Sequence, residues 1–170
     1  MNILSRLRLA TPKETGFAGA VSLHFHRRRE GVVVATLART SDGVCFSVPE
    51  GAVLLPWPTH EALGDAFRQA FSRFAMRDAD LTKLKRTDAP AYKASGCRSV
   101  SEFERTYVAV YAQSVNDANI VVRACAQHPR FEQIELSTCF NPRLPSATIG
   151  KHLLDLLDAV LQCASDEIAT

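Results

Sequence analysis

The sequence predicts an α+β fold made of two β-β-β-α units, in which antiparallel strands are covered by amphipathic helices. Two stretches, 59–75 and 146–163, carry apolar residues at helical spacing. Three short apolar segments, separated by turn residues, precede each of these stretches. The strands are expected to form either two three-stranded sheets or one continuous sheet of about six strands.

The first helix is predicted by the periodicity of the stretch THEALGDAFRQAFSRFA. Thr59 occupies the position of an N-cap, and Glu61 places a carboxylate in the first turn, near the positive end of the helix dipole. Residues three and four apart share one face of a helix, so the apolar residues form one stripe. The stripe consists of Leu63, Ala66, Phe67, Ala70, Phe71 and Phe74.

The second helix repeats the pattern of the first at one constant spacing along the chain, and Ser146 is placed to cap it. Apolar runs in the strands upstream correspond as well, which predicts an internal repeat. The alternative is that any two β-β-β-α stretches look alike at this level of detail. The corresponding helix pairs are Leu63 and Ile149, Gly64 and Gly150, Phe67 and Leu153, and Phe71 and Leu157. The side chains of the last two pairs are expected to be buried.

The first strand is predicted over 20–26, where apolar and polar residues alternate. Its polar face carries His24 and His26, a spacing that also occurs in metal sites. No cysteine or carboxylate is fixed beside them in the sequence, so a solvated strand face is the favoured interpretation and no metal is expected. Strands at 32–37 and 44–48 follow, after turns at 27–31 and 40–43. Three prolines in 49–58 predict an extended connection rather than a regular strand.

The basic segment 77–93 is the predicted boundary between the units, 1–90 and 91–170, although the two could also form a single compact domain. A short helix is expected over 99–105, with Ser99 and Glu102 in a capping-box pattern. Strands at 106–113, 120–126 and 131–137 lead to the second helix. Residues 2–9 are expected to form a short helical latch, and 165–170 to fray.

Composition limits the class of protein. The chain has 170 residues, of which 46% are hydrophobic, enough to bury a substantial core. Its formal net charge of +2 is too balanced to favour nucleic acid or an anionic membrane as the main partner. No apolar run has the length of a signal peptide or membrane span, so a cytoplasmic location is expected. The five cysteines are odd in number and lack CxxC spacing, which favours reduced thiols: Cys45, Cys97, Cys125, Cys139 and Cys163.

No catalytic or cofactor motif stands out. The sequence lacks a GxSxG elbow, and His60-Glu61 is not part of an HExxH motif because position 64 is glycine. The eight glycines do not form a phosphate-binding loop. We therefore expect a binding protein, with neither enzymatic activity nor a cofactor.

The second half of the chain resembles the bacterial contact-dependent growth inhibition immunity proteins. The resemblance is carried by 93–140, followed by a proline-flanked break and SATIGKHLLDLLDAV, and covers about 91–161. It rests on the order of the elements: a short helix that carries an aromatic residue, Phe103, then three strands and a second helix. In the family this second helix opens with a Leu-Gly pair, and here the pair is Ile149-Gly150. Within this family such proteins bind and neutralise the C-terminal toxin domain of a cell-surface effector, which makes them toxin inhibitors.

This resemblance implies that the partner is a protein toxin domain, bound in the cytoplasm as in a toxin-antitoxin pair, rather than nucleic acid or a membrane. The toxin is expected to be a nuclease. It carries over no contact residues, because each member answers its own toxin. From the residues themselves, exposed side chains on the second helix and in two turns are the candidates for partner binding. These are Lys151, Asp155 and Asp158 on the helix, and Arg28, Asn116 and Asp117 in the turns, with Asp155 and Asp158 favoured as mimics of phosphate. A secretion chaperone is the alternative, and a small enzyme whose site is assembled in three dimensions is less favoured.

Overall fold

The computed structural model describes residues 19–126 and 133–165. Within these residues the chain forms seven strands and four α-helices. The strands are β1 (Ala20–His26), β2 (Gly31–Arg39), β3 (Cys45–Pro56), β4 (Ala75–Met76), β5 (Tyr107–Asn116), β6 (Asn119–Ala126) and β7 (Ile134–Phe140). The helices are α1 (His60–Ser72), α2 (Pro90–Ser95), α3 (Val100–Thr106) and α4 (Ser146–Ser165).

A single sheet runs through both halves of the chain, in the strand order β3-β2-β1-β5-β6-β7. Neighbours along this path are antiparallel, and the two-residue strand β4 adds in parallel to the end of β2. The two halves meet where β1 pairs with β5, with Leu23 opposite Val110 and Val21 opposite Ala112. The predicted α+β class with antiparallel strands is confirmed, and the strands form one continuous sheet rather than two.

Helices α1 and α4 cover one face of this sheet and form the main core with it. The four side chains expected to be buried are so, with relative exposures of 1% for Phe67, 6% for Phe71 and 0% for both Leu153 and Leu157. Thr59 caps α1 as predicted, because its side-chain oxygen accepts a hydrogen bond from the backbone N–H of Ala62. None of the described helices has the length and apolar character needed to cross a membrane.

The two covering helices cross at glycines. A Cβ on Gly64 would overlap the carbonyl oxygen of Ser146, and a Cβ on Gly150 would overlap that of His60. Each glycine therefore lets the backbone of one helix approach the first turn of the other, and any larger residue would push the helices apart. The Arg68 guanidinium also donates to the carbonyl oxygen of Leu144, just before α4.

Helices α2 and α3 pack on the opposite face of the sheet, over its first half. Their apolar residues Ala91 and Phe103 form a second core with Val33 and Ala35 of β2. This second layer makes the expectation of a solvated His24 wrong. His24 is only 9% exposed, since α3 lies over the strand face on which the imidazole sits.

Over β6 and β7 the same face has no helix on it among the described residues. Arg123 and Glu135 lie side by side there, with 3.8 Å between Nε and Oε1, and both side chains are partly solvent-exposed. The sheet is thus covered on both faces in its first half and mainly on one face in its second. In the covered half, β1 and β2 are buried along nearly their whole length.

The third strand differs from the prediction. It continues through the proline-containing segment as far as Pro56, where an extended connection was expected. This is tolerated because β3 is an edge strand that pairs only with β2, so a missing N–H can face away from the ladder. A register shift between Ala35 and Leu37 of β2 accommodates the irregular middle of β3.

Several element ends also differ. Helix α1 ends at Ser72 rather than 75, because the chain turns there to place β4 beside β2. Helix α4 includes Ser146 as its first residue, and the carbonyl oxygen of Pro145 accepts the first helical hydrogen bonds, so Ser146 is not the N-cap. Strand β7 runs to Phe140, three residues beyond the predicted end, whereas 131 and 132 of the predicted strand lie outside the described residues. The predicted latch at 2–9 lies outside the described residues.

The short helix before β5 is confirmed as α3. The Ser99 hydroxyl accepts a hydrogen bond from the N–H of Glu102 at 3.1 Å. The carboxylate of Glu102 accepts from the N–H of Arg98 at 2.7 Å rather than from that of Ser99. This is the capping-box arrangement displaced by one residue, and it fixes the start of α3 over the sheet.

Candidate functional site

The turn between β1 and β2 is tied to the end of α3. The N–H of Arg27 donates to the carbonyl oxygen of Thr106 at 2.9 Å, and the Arg27 side chain donates to that of Arg105 at 3.0 Å. Arg29 holds a positive φ of 59°, which L-residues adopt mainly in tight turns. These contacts hold the turn in place beside α3.

Arg29 also links this turn to α4 on the other side of the sheet. Its guanidinium lies 2.8 Å from a carboxylate oxygen of Asp158 and 5.6 Å from the centre of the Trp57 ring. Trp57 in turn makes an edge contact with the buried Phe25, with 6.4 Å between ring centres. Arg29 is therefore held by an ion pair and a cation–π contact at once, which limits its freedom to bind a partner.

A cleft opens at this end of the molecule, between the β1–β2 turn, the end of β3 and the start of β5. We call it the hairpin cleft, and its volume is about 570 Å³. It is bounded by four separate segments of the chain, which the fold brings together. Its lining residues are His26, Glu30, Gly31, Leu54, Leu55, Pro56, Ser95, Gly96, Cys97, Glu102, Thr106 and Tyr107.

His26 is held in the cleft by contacts at both ring nitrogens. Nδ1 accepts a hydrogen bond from the backbone N–H of Arg28 at 3.2 Å, and Nε2 lies 3.3 Å from a carboxylate oxygen of Glu30. The ring also packs edge-on against Tyr107, with 5.2 Å between centres. An imidazole that accepts at Nδ1 carries its proton on Nε2, so it offers Glu30 a neutral donor.

Tyr107 lines the cleft at the start of β5. Its ring is buried, with 8% of the residue exposed, and packs against Phe103 at 5.0 Å between centres. Burial raises the pKa of its hydroxyl, and the nearby Cys97 and Glu30 raise it further. The hydroxyl is thus protonated at neutral pH and remains available as a hydrogen-bond donor.

His24 lies one pleat further along the same strand face, beneath α3. Its Nε2 is 2.7 Å from the hydroxyl oxygen of Ser22, and its ring centre is 5.1 Å from that of Phe103. Burial lowers the pKa of His24 to about 4, since no opposite charge compensates the loss of water around the ring. His24 is therefore a neutral core residue.

The residues predicted to bind a partner fall at two ends of the molecule. Lys151 and Asp155 form an ion pair of 2.6 Å on the exposed face of α4, and Asp158 pairs with Arg29 as described. Arg28 is exposed in the β1–β2 turn, so it lies in the same region as Asp158. The favoured carboxylates, Asp155 and Asp158, each already have a cationic partner within the chain.

Asn116 and Asp117 lie at the other end of the sheet, Asn116 as the last residue of β5 and Asp117 in the turn that leads to β6. The antiparallel pairing of β1 with β5 sets this distance, because His26 is opposite Tyr107 while Ala20 is opposite Gln113. Asn116 uses its side-chain oxygen to accept from the N–H of Ala118 at 2.9 Å, which stabilises the turn. The structure therefore does not bring these two residues together with the other candidates.

Within the described ranges, no three histidine, cysteine or acidic side chains are close enough to hold a metal ion. The five cysteines all lie there as free thiols. The hairpin cleft was not predicted from the sequence. The only local signal for it is the apolar pair Leu54-Leu55, which lies in the segment 49–58 that was predicted to be an extended connection.

Comparison with known proteins supports the fold. The structure is similar to a chain of the CdiA-CT/CdiI toxin and immunity complex from Yersinia pseudotuberculosis, with a TM-score of 0.63 and 13% sequence identity over 85% of this chain and 98% of that chain. It is also similar to a Neisseria meningitidis protein of unknown function, with a TM-score of 0.61 and 10% identity over 92% of this chain and 98% of that chain. These likenesses show a shared fold. No protein-family model and no curated protein matches the sequence.

Proposed function

We propose that this protein is an immunity protein of a contact-dependent growth inhibition system. In this proposal it binds the C-terminal toxin domain of a large exported effector in the cytoplasm and so protects the cell that produces it. The observation that supports this most is the likeness to a chain of a toxin and immunity complex, which spans almost the whole of that chain. The sequence resemblance over 91–161 supports the same conclusion.

The proposal includes inhibition by binding, without a catalytic step of this chain's own. The histidines on β1 support this, because His24 is sealed beneath Phe103 and both ring nitrogens of His26 are engaged. Rigid side chains on a well-packed sheet suit a protein that must present one fixed surface to a partner.

The proposal also includes an internal repeat, each unit comprising three strands and a helix. The crossing of α1 and α4 supports it, because the two glycines make reciprocal contacts. Gly64 approaches Ser146, and Gly150 approaches His60, and these four residues occupy matching positions in the two units. The two helices then form a fixed support, which leaves turns and edges free to differ between partners.

Growth rescue tests this function. The C-terminal domain of the effector encoded directly upstream would be expressed from an inducible promoter in a susceptible strain, with or without this protein. Rescue by this protein, and none against a toxin domain from an unrelated effector, is the expected result. Cell death at the same rate with and without the protein, at matched expression, would contradict the function.

The proposal that the toxin is a nuclease is tested separately. The purified toxin domain would be incubated with DNA and with RNA, alone and after mixing with an equimolar amount of this protein. Degradation that this protein suppresses is the expected result. An inhibited toxin that leaves both substrates intact would contradict the nuclease assignment while leaving the immunity function in place.

A further inference from the structure

The hairpin cleft is acidic at its rim. Of the described residues that line it, Glu30 and Glu102 are acidic, and none is lysine or arginine. The Glu30 side chain is 65% exposed, and its contact in the cleft is the neutral N–H of His26. The ring supplies a dipole rather than a charge, so the negative charge of Glu30 is not neutralised there.

Glu102 is held in a fixed position by its capping role. One of its carboxylate oxygens accepts the N–H of Arg98, and the residue is only partly exposed. Among the described residues it forms no ion pair. The cleft thus presents two carboxylates on separate segments, one anchored by a helix start and one by a tight turn.

The cleft also has an apolar wall. Leu54 is 47% exposed at the end of β3, next to Leu55 and Pro56. Large apolar side chains exposed beside a cleft are typical of a surface that binds another molecule. An aliphatic stem that ends in a cation matches such a site, because the stem covers the apolar wall while the head reaches the carboxylates.

We propose that the hairpin cleft is the main anchor point for the toxin and receives a lysine or arginine side chain from a basic segment of the toxin domain. This rests on the proposed function and names the chemistry of its partner. Complementary charge supports it, since the charged groups of the cleft itself have one sign. The cleft differs in this from the exposed face of α4, where Asp155 and Asp158 each form an ion pair with a cationic side chain of this protein.

The test is the affinity of the upstream-encoded toxin domain for a double variant, Glu30→Gln with Glu102→Gln, measured by calorimetry at low and high salt. Glutamine at position 102 keeps an oxygen to accept the Arg98 N–H, so α3 should stay capped. A second variant, Leu54→Ala, removes the apolar wall at an exposed position. The matched control is Glu61→Gln with Asp65→Asn, which removes two exposed carboxylates from α1, on the opposite face of the sheet.

We expect the dissociation constant of the cleft double variant to rise at least about tenfold, with a flatter salt dependence, because charged contacts at an interface are lost. Leu54→Ala should weaken binding without a change in unfolding temperature, and the α1 control should bind like the wild type. If the cleft variant binds as tightly as the wild type, or if the control loses as much affinity, the cleft assignment is overturned while the function stands. If the wild type fails to bind the domain, both fall together.

Discussion

Burial of His24 makes the stability of this protein depend on pH in a defined range. In the folded chain the pKa of His24 is lowered to about 4, whereas the unfolded chain restores the ordinary value of 6.5. Between these two values the unfolded state binds a proton that the folded state does not. Stability is therefore unaffected above about pH 6.5 and falls as the pH drops toward 4.

The size of this loss follows from the shift. One pKa unit corresponds to about 1.4 kcal/mol, so acidification from pH 7 to pH 4 should remove about 3 kcal/mol of unfolding free energy through His24 alone. That is a large share of the 5–15 kcal/mol typical of a folded domain. The effect is specific to a group that gains no compensating charge, since desolvation is the cause of the shift.

Urea unfolding at several pH values between 7 and 4 measures this effect. The comparison is with His24→Gln, which keeps a polar partner for Ser22 but cannot titrate. The variant is expected to be less stable at pH 7 by about 1–3 kcal/mol, since it loses the ring contact with Phe103. Its stability should then fall less steeply with acid than that of the wild type.

Other groups do not obscure this comparison. Hydrogen bonds and nearby lysines lower the pKa of Asp80 and of Asp88, so their contributions are lost only as the pH falls through those lowered values. They are present in both proteins and cancel in the difference. Parallel stability curves for wild type and His24→Gln would refute the argument that His24 is held neutral by burial.

Three further predictions concern the core. Gly64→Ala and Gly150→Ala should each destabilise the protein by about 1–3 kcal/mol, because the added Cβ meets a backbone carbonyl of the other helix. This loss is expected despite the higher helix propensity of alanine. The control is Gln69→Ala, at an exposed position of α1, which should change stability by less than about 0.5 kcal/mol. Thr36→Val should be neutral or stabilising by up to about 1 kcal/mol in chemical denaturation, since the buried Thr36 hydroxyl has no hydrogen-bond partner among the described residues; a clear loss would reveal a partner. Leu153→Ala should cost about 2–5 kcal/mol, and a loss below about 1 kcal/mol would mean that α4 does not pack as described.

Sequence periodicity predicted α1 and α4, and a capping pattern predicted α3, because each depends on a local pattern, whereas α2 was not predicted. The stripe of α1 and its capping by Thr59 can be read from consecutive residues, and burial of Phe67 and Leu153 follows from the stripe. The same reasoning identified the two faces of β1. It could not show that α3, from a distant part of the chain, covers the face that carries His24.

The full length of β3 and the hairpin cleft could not be predicted from the sequence either, because both depend on how distant strands pair. Proline argues against a strand only where its missing N–H would face a partner, and the position of β3 at the edge is a property of the whole sheet. The hairpin cleft joins Glu30, Leu54 and Glu102 from three separate segments. No spacing in the sequence relates these residues before the strands are paired.

The central claim, that this chain binds and neutralises a toxin domain, is tested most directly by titrating the purified domain encoded directly upstream into this protein in a calorimeter. Protection of a cell from even a few toxin molecules requires a dissociation constant in the nanomolar range or tighter, about −12 kcal/mol. We predict saturable binding at one to one with that affinity. A folded and toxic domain that gives no binding heat, and does not co-elute with this protein in gel filtration, would contradict the account.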